Sequence, residues 1–215
     1  MQSLATRSLY LCVGLRDDME TFLPAVLRGG VDVVQLREKV ADESLRRDMA
    51  LRMVPICRDF GVPFIMNDSP ELAVDVAADG VHVGQDDTPV SRCRELLGND
   101  AIVGLSTHEP AEFAAGLLEP VSYLSAGPIV ATPTKLGRAG TGVDYAVTSQ
   151  ALTALPVFVT GGVNEDTVGD LVVRGLRHFV VVRALTEAID PEATARRLRQ
   201  ALDRARSAVA VEPPQ

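Results

Sequence analysis

Eight short apolar runs, rich in valine and isoleucine and spread along the whole chain, constrain its fold most. They are Leu9 to Val13, Val31 to Leu36, Pro63 to Met66, Gly80 to Val83, Ala101 to Leu105, Val121 to Ser125, Val157 to Val159 and His178 to Val182. Between them lie segments with helical composition and spacing, among them Glu43 to Phe60, Pro70 to Ala78, Ser91 to Leu97, Pro110 to Leu118 and Asn164 to Val173. Runs apolar on both faces suit parallel strands covered by helices, and crossovers of this length require parallel pairing. Eight such units fill the 215 residues, which predicts an α/β chain forming a single (β/α)8 TIM barrel over residues 1–215. A doubly wound open sheet is the competing architecture, but it usually has fewer strands, and no G-x-G-x-x-G turn follows the first run. Residues 208–215, with Pro213 and Pro214, are expected to fray.

A formal net charge of -8 leaves no global field to attract a phosphodiester polymer, so nucleic acid is not expected as a partner. Any phosphate must be gripped locally, by a few side chains and backbone N–H groups. Cys12, Cys57 and Cys93 are odd in number and widely spaced, which suggests neither a disulfide framework nor a thiolate zinc site and fits a reducing compartment. The apolar run Ser8 to Leu15 is short and is followed by Asp17 and Asp18, unlike a signal peptide or membrane span. The expectation is a cytoplasmic protein without a membrane partner, with a homo-oligomer left open.

In such a barrel, chemistry belongs where strands end and βα loops begin. After the second run comes Gln35-Leu36-Arg37-Glu38-Lys39, whose alternation turns Gln35, Arg37 and Lys39 to one side. This is either a solvated strand end or a diphosphate clamp, with arginine as planar fork and lysine as point charge. The third run leads to Asn67-Asp68 and the fourth to Gly84-Gln85-Asp86-Asp87. Their carboxylates suit either helix caps or one Mg2+ ion, which takes few protein ligands and completes its shell with water and phosphate. Ser106, ending the fifth run, offers a hydroxyl to a phosphate or to a helix cap. The long Gly-rich loop from Gly127 to Gly142 carries Thr132, Thr134 and Lys135, which could hold a second anionic substrate. Gly161-Gly162 after the seventh run and Val182-Arg183 after the eighth occupy the usual barrel phosphate site. His108 and His178 read as structural or surface residues, and His82 as a core residue that could line a pocket.

These segments together, Gln35 to Lys39, Asn67-Asp68, His82 to Asp87, Gly104 to Ser106, Gly127 to Ile129 with Thr132 to Lys135, and Gly161-Gly162, resemble the thiamine-phosphate synthase family in order and spacing. The resemblance spans nearly the whole chain. It implies a Mg2+-dependent transferase that joins a pyrimidine-methyl diphosphate to a thiazole phosphate and releases diphosphate. It implies that Arg37, Lys39, Asn67 and Ser106 contact the diphosphate, that Gln35 contacts the pyrimidine ring, and that Asp68 and Asp87 ligate Mg2+, with Asp86 a neighbour. Thr132, Thr134, Lys135, Gly162, Val182 and Arg183 would hold the diphosphate end or the thiazole phosphate, and Lys135 joins Arg37, Lys39 and Ser106 as a catalytic candidate. Many members carry a small hydroxyl residue where Arg183 stands, so a guanidinium replaces or reinforces a backbone contact there. A thiazole-phosphate tautomerase, a sugar-phosphate barrel enzyme and a non-catalytic phosphate-binding protein are the competing readings; none of them needs both the basic clamp and the paired carboxylates.

Overall fold

Each of the eight apolar runs forms a strand: β1 Leu9–Val13, β2 Val33–Leu36, β3 Phe64–Asn67, β4 Gly80–Val83, β5 Ile102–Thr107, β6 Tyr123–Ala126, β7 Val157–Val159 and β8 His178–Val181. The computed structural model, which describes residues 4–132 and 139–211, pairs these strands in parallel in a closed barrel in chain order. Closure comes from Leu9, Tyr10 and Leu11 of β1 pairing with Phe179, Val180 and Val181 of β8.

Helices α1 Met19–Arg28, α2 Glu43–Asp59, α3 Pro70–Asp75, α4 Val90–Leu97, α5 Pro110–Gly116, α6 Val143–Ala151 and α7 Val168–Val173 form the crossovers. After β8 come the short α8, Arg183–Thr186, and α9, Pro191–Val211, which packs on α1, α7 and α8. Residues 208–211, expected to fray, are helical, and residues 212–215 lie outside the described residues. The helical segment expected from Asn164 begins instead at Val168. The reason is local: Asn164 Oδ1 accepts the N–H groups of Asp166 and Thr167 at 2.9 and 3.1 Å, a side-chain turn that competes with helix.

The strands have two kinds of buried face. Outward residues such as Leu9, Leu11, Val34, Leu36, Val81 and Val103 join the helices in one large core. Inward residues Tyr10, Val33, Ile65, Ile102, Tyr123 and Phe158, with Leu4 ahead of β1, fill the barrel itself. Two residues further along their strands, Tyr10, Val33, Ile65 and Tyr123 give way to Cys12, Gln35, Asn67 and Ser125, while His82 follows Gly80 and Ser106 follows Gly104. The strand period of two therefore places a buried polar layer on top of an apolar one, facing the C-terminal mouth. No described helix is long and apolar enough to cross a membrane.

Candidate active site

The polar layer is the floor of a cavity of about 1090 Å3 at the C-terminal ends of the strands. Gln35, Arg37, Lys39, Asn67, Asp68, Asp87, Ser106, Thr132, Gly162, Val182 and Arg183 all line it. Thr134 and Lys135 lie outside the described residues.

The loop after β2 is shaped by Glu38, which accepts the Val40 N–H at 3.0 Å. That backbone bond holds its carboxyl below the ordinary value. Lys39, next in the chain, reaches across to Asp68, Nζ to Oδ2 at 2.8 Å. Asp68 adopts φ 62°, a left-handed conformation uncommon for a non-glycine residue and a form of strain that gathers at functional sites. Burial pushes its carboxyl above the ordinary value; Lys39 pulls the other way, and Asp87, within hydrogen-bonding reach, pushes it up again. Asp87 Oδ2 also accepts the Gly84 N–H at 2.8 Å.

The helix-cap readings of these carboxylates do not hold. The N-cap of α3 is Ser69 and that of α4 is Pro89, neither with a side-chain capping bond, and Ser106 lies within β5. Two partly buried carboxylates crowded together fit a hard dication, and Mg2+ commonly takes only one or two from protein. No group of three or more metal-ligating side chains occurs among the described residues, so Asp68 and Asp87 could hold such an ion only with water or substrate oxygens completing its shell. Beside them Arg37 forms no ion pair among the described residues. Asn67 Nδ2 is buried without a hydrogen-bond partner there, an arrangement native proteins rarely leave without a purpose.

Loops after β6 and β7 are packed together. Ile129 N–H donates to the Thr160 carbonyl at 2.7 Å. Gly161 and Gly162 adopt φ 89° and 73°, and a Cβ on them would stand 2.7 Å from Pro128 Cβ and 2.6 Å from Val130 Cγ2. Only glycine meets both demands, which leaves backbone exposed to a ligand. Strand β8 ends at Val181, so Val182 caps α8 and the exposed Arg183 is its first residue. Thr160, which the sequence reading passed over, also lines the cavity with a buried and unpartnered Oγ1 among the described residues.

A continuous polar chain runs through the floor. Cys12 Sγ donates to Gln35 Oε1 at 3.3 Å, and Gln35 Nε2 donates to Tyr10 Oη at 2.9 Å. Tyr10 and Tyr123 hydroxyls are 2.9 Å apart. Tyr123 Oη is 2.9 Å from His82 Nδ1, and His82 Nε2 is 2.8 Å from Ser106 Oγ, which Ser125 Oγ approaches at 3.4 Å. His82, treated from sequence as a core residue, is both buried and part of the cavity wall. Tyr10 and Tyr123 were legible only as apolar strand positions, because nothing in a linear sequence shows that their hydroxyls meet. His108 lines the rim, with Nδ1 2.9 Å from Glu112, whereas His178 sits in the barrel with Nδ1 2.5 Å from the Arg7 carbonyl.

The chain is similar to known proteins in sequence and in fold. A family model of thiamine monophosphate synthase matches residues 9–185. A thiamine-phosphate synthase of Acidothermus cellulolyticus is 41% identical over 198 residues, covering 88% of this chain and 92% of that protein. One from Nostoc punctiforme is 37% identical over 203 residues; the match covers 94% of this chain, which spans 58% of that longer protein. Among solved structures, thiamine phosphate pyrophosphorylase from Pyrococcus furiosus superposes with a TM-score of 0.85 at 23% identity, over 94% of this chain and 99% of that one. At that identity the likeness speaks for the barrel, while the sequence matches speak for ancestry. The chain belongs to the thiamine monophosphate synthase family.

Proposed function

We propose that this chain is a Mg2+-dependent thiamine-phosphate synthase, joining an aminopyrimidine-methyl diphosphate to a thiazole phosphate with release of diphosphate, and that residues 1–215 act as one barrel domain. The observation that carries this reading is the cluster of Lys39, Asp68 and Asp87 beside Arg37 and the Asn67 amide, which lack an ion pair and a hydrogen-bond partner, respectively, among the described residues. Two cations and two carboxylates are what a departing diphosphate with a dication requires. A tautomerase has no use for that combination. The buried, unbridged cysteines suit a reducing compartment such as the cytoplasm.

The reaction breaks the bond from the methylene carbon to the diphosphate oxygen, whose electron pair leaves with diphosphate. The amino group of the pyrimidine donates electron density to the methylene carbon, and the thiazole nitrogen supplies the pair for the new C–N bond. No protein nucleophile is needed. Arg37 and Lys39 grip the leaving group, Asn67 and Ser106 donate hydrogen bonds to it, and Gln35 orients the pyrimidine ring. Thr132, with Thr134 and Lys135, and the Gly162, Val182 and Arg183 backbone and side chains hold the thiazole phosphate and the far end of the diphosphate. Asp68 and Asp87 would hold Mg2+ together with water and diphosphate oxygens, and the ion would supply neutralisation of the charge that gathers on the leaving group.

Purified protein given both substrates and Mg2+ should form thiamine phosphate and release diphosphate, and omission of any one should abolish both products. Failure with all three present refutes the reading.

A further inference from the structure

The hydrogen-bond chain in the cavity floor has a direction that its donors and acceptors set. An amide N–H can only donate, so Tyr10 Oη accepts from Gln35 Nε2, and the Cys12 thiol on Oε1 sets which end of the amide is which. Tyr10 Oη has no other acceptor for its own proton among the described residues, so it turns that proton to Tyr123 Oη at 2.9 Å. Tyr123, accepting there, donates to His82 Nδ1 at 2.9 Å, which requires that nitrogen to be bare and puts the ring proton on Nε2, 2.8 Å from Ser106 Oγ. Ser125 Oγ donates to the same oxygen at 3.4 Å. With two donors on its lone pairs, Ser106 has only a proton left to offer the cavity.

We propose that Tyr10, Tyr123 and His82 are positioning residues, a polarised relay that makes the Ser106 hydroxyl an obligate donor to an anionic leaving group and ties the Gln35 end of the site to the diphosphate end. The inference rests on the diphosphate-transfer reading for its ligand. Burial pushes both phenols up, so each keeps the proton the relay needs. The other histidines are set the opposite way: His178 Nδ1 faces the Arg7 carbonyl at 2.5 Å and His108 Nδ1 faces the Glu112 carboxylate at 2.9 Å, so each carries a proton on Nδ1. Of the three histidines, His82 is therefore the one with a bare Nδ1. The relay also leaves Gln35 one N–H and one carbonyl lone pair, a donor and acceptor that match the ring nitrogen and amine of an aminopyrimidine.

Long-range proton–nitrogen spectra of the wild-type protein near neutral pH read the tautomers directly. One neutral histidine protonated on Nε2 is expected; three rings all carrying Nδ1–H overturn the relay. Calorimetric binding of inorganic diphosphate with Mg2+ then compares wild type, Tyr123→Phe, Ser106→Ala and the double variant. Tyr123→Phe should weaken binding about tenfold or more, approaching Ser106→Ala, and the double variant should lose no more than Ser106→Ala does. Additive losses, or unchanged affinity in a folded Tyr123→Phe, overturn the relay. If Tyr123→Phe does not fold, the histidine spectrum decides alone. Wild-type protein that binds no diphosphate refutes the transferase reading instead, and the spectrum still decides the relay.

Discussion

Gly104→Ala tests whether the barrel interior is packed as described. Gly104 of β5 pairs with Tyr123 of β6, and a Cβ there would stand 2.1 Å from Tyr123 Cζ, 2.4 Å from Cε1 and 2.5 Å from Oη. Ordinary contact begins at 3.4 Å, so the ring would have to retreat by over an ångström. It has nowhere to go: its hydroxyl is bonded to Tyr10 and His82, and its edges meet the Tyr10 and Phe158 rings at centroid distances of 6.0 and 5.2 Å. Overpacking of this kind costs ~1–3 kcal/mol, and each of the two buried hydrogen bonds put at risk adds ~1 kcal/mol. The stiffer unfolded chain of an alanine variant returns only ~0.4–1 kcal/mol. A net loss of ~3 kcal/mol lowers the melting temperature of a chain this size by ~6–12 °C. Thermal unfolding followed by circular dichroism measures it. Tyr123→Leu makes room for the new methyl, so Gly104→Ala with Tyr123→Leu should be more stable than the sum of the single losses by ~1 kcal/mol or more. A Gly104→Ala protein that melts with the wild type, or strictly additive losses, refutes the packing argument.

Lys39 is half exposed and contacts the Asp68 carboxylate, so Lys39→Ala should shift stability by no more than ~1 kcal/mol while diphosphate release falls by ~100-fold or more; a fully active variant would remove Lys39 from the clamp. Burial holds the His178 imidazole below its ordinary value, with the Arg7 carbonyl opposing. A depressed folded value means that its contribution to stability is complete above the unfolded value, about 6.5, and is lost as the pH falls through the folded value. Denaturant unfolding should therefore weaken in acid by up to ~1.4 kcal/mol per pH unit from this residue, and His178→Gln should flatten that slope; an unchanged slope would assign it elsewhere.

The strands were the most legible part of the fold. β4 and β7 coincide with the runs Gly80 to Val83 and Val157 to Val159, because a strand buried on both faces needs a continuous apolar segment and nothing distant to define it. The start of α7 was less legible, since Asn164 satisfies two backbone N–H groups with its own side chain and delays the helix. Lys39 and Asp68 were visible as charges at strand ends. Their pairing was not, because Lys39 meets Asp68 only across the gap between neighbouring strands.

The amino-acid sequence by itself determined that strands and helices alternate, that polar residues follow apolar ones at a spacing of two, and which strand ends carry charged and hydroxyl side chains. All three are local consequences of backbone geometry and side-chain polarity. Only the tertiary structure decided that Asp68 and Asp87 crowd together, that Asn67 and Thr160 keep polar atoms at the cavity without a partner among the described residues, and that five strands lend side chains to one path of hydrogen bonds from Gln35 through Tyr10, Tyr123 and His82 to Ser106. Closing the barrel turns residues more than a hundred positions apart, such as Tyr10 and Tyr123, toward one axis, and their separation there depends on strand register, which no local pattern encodes.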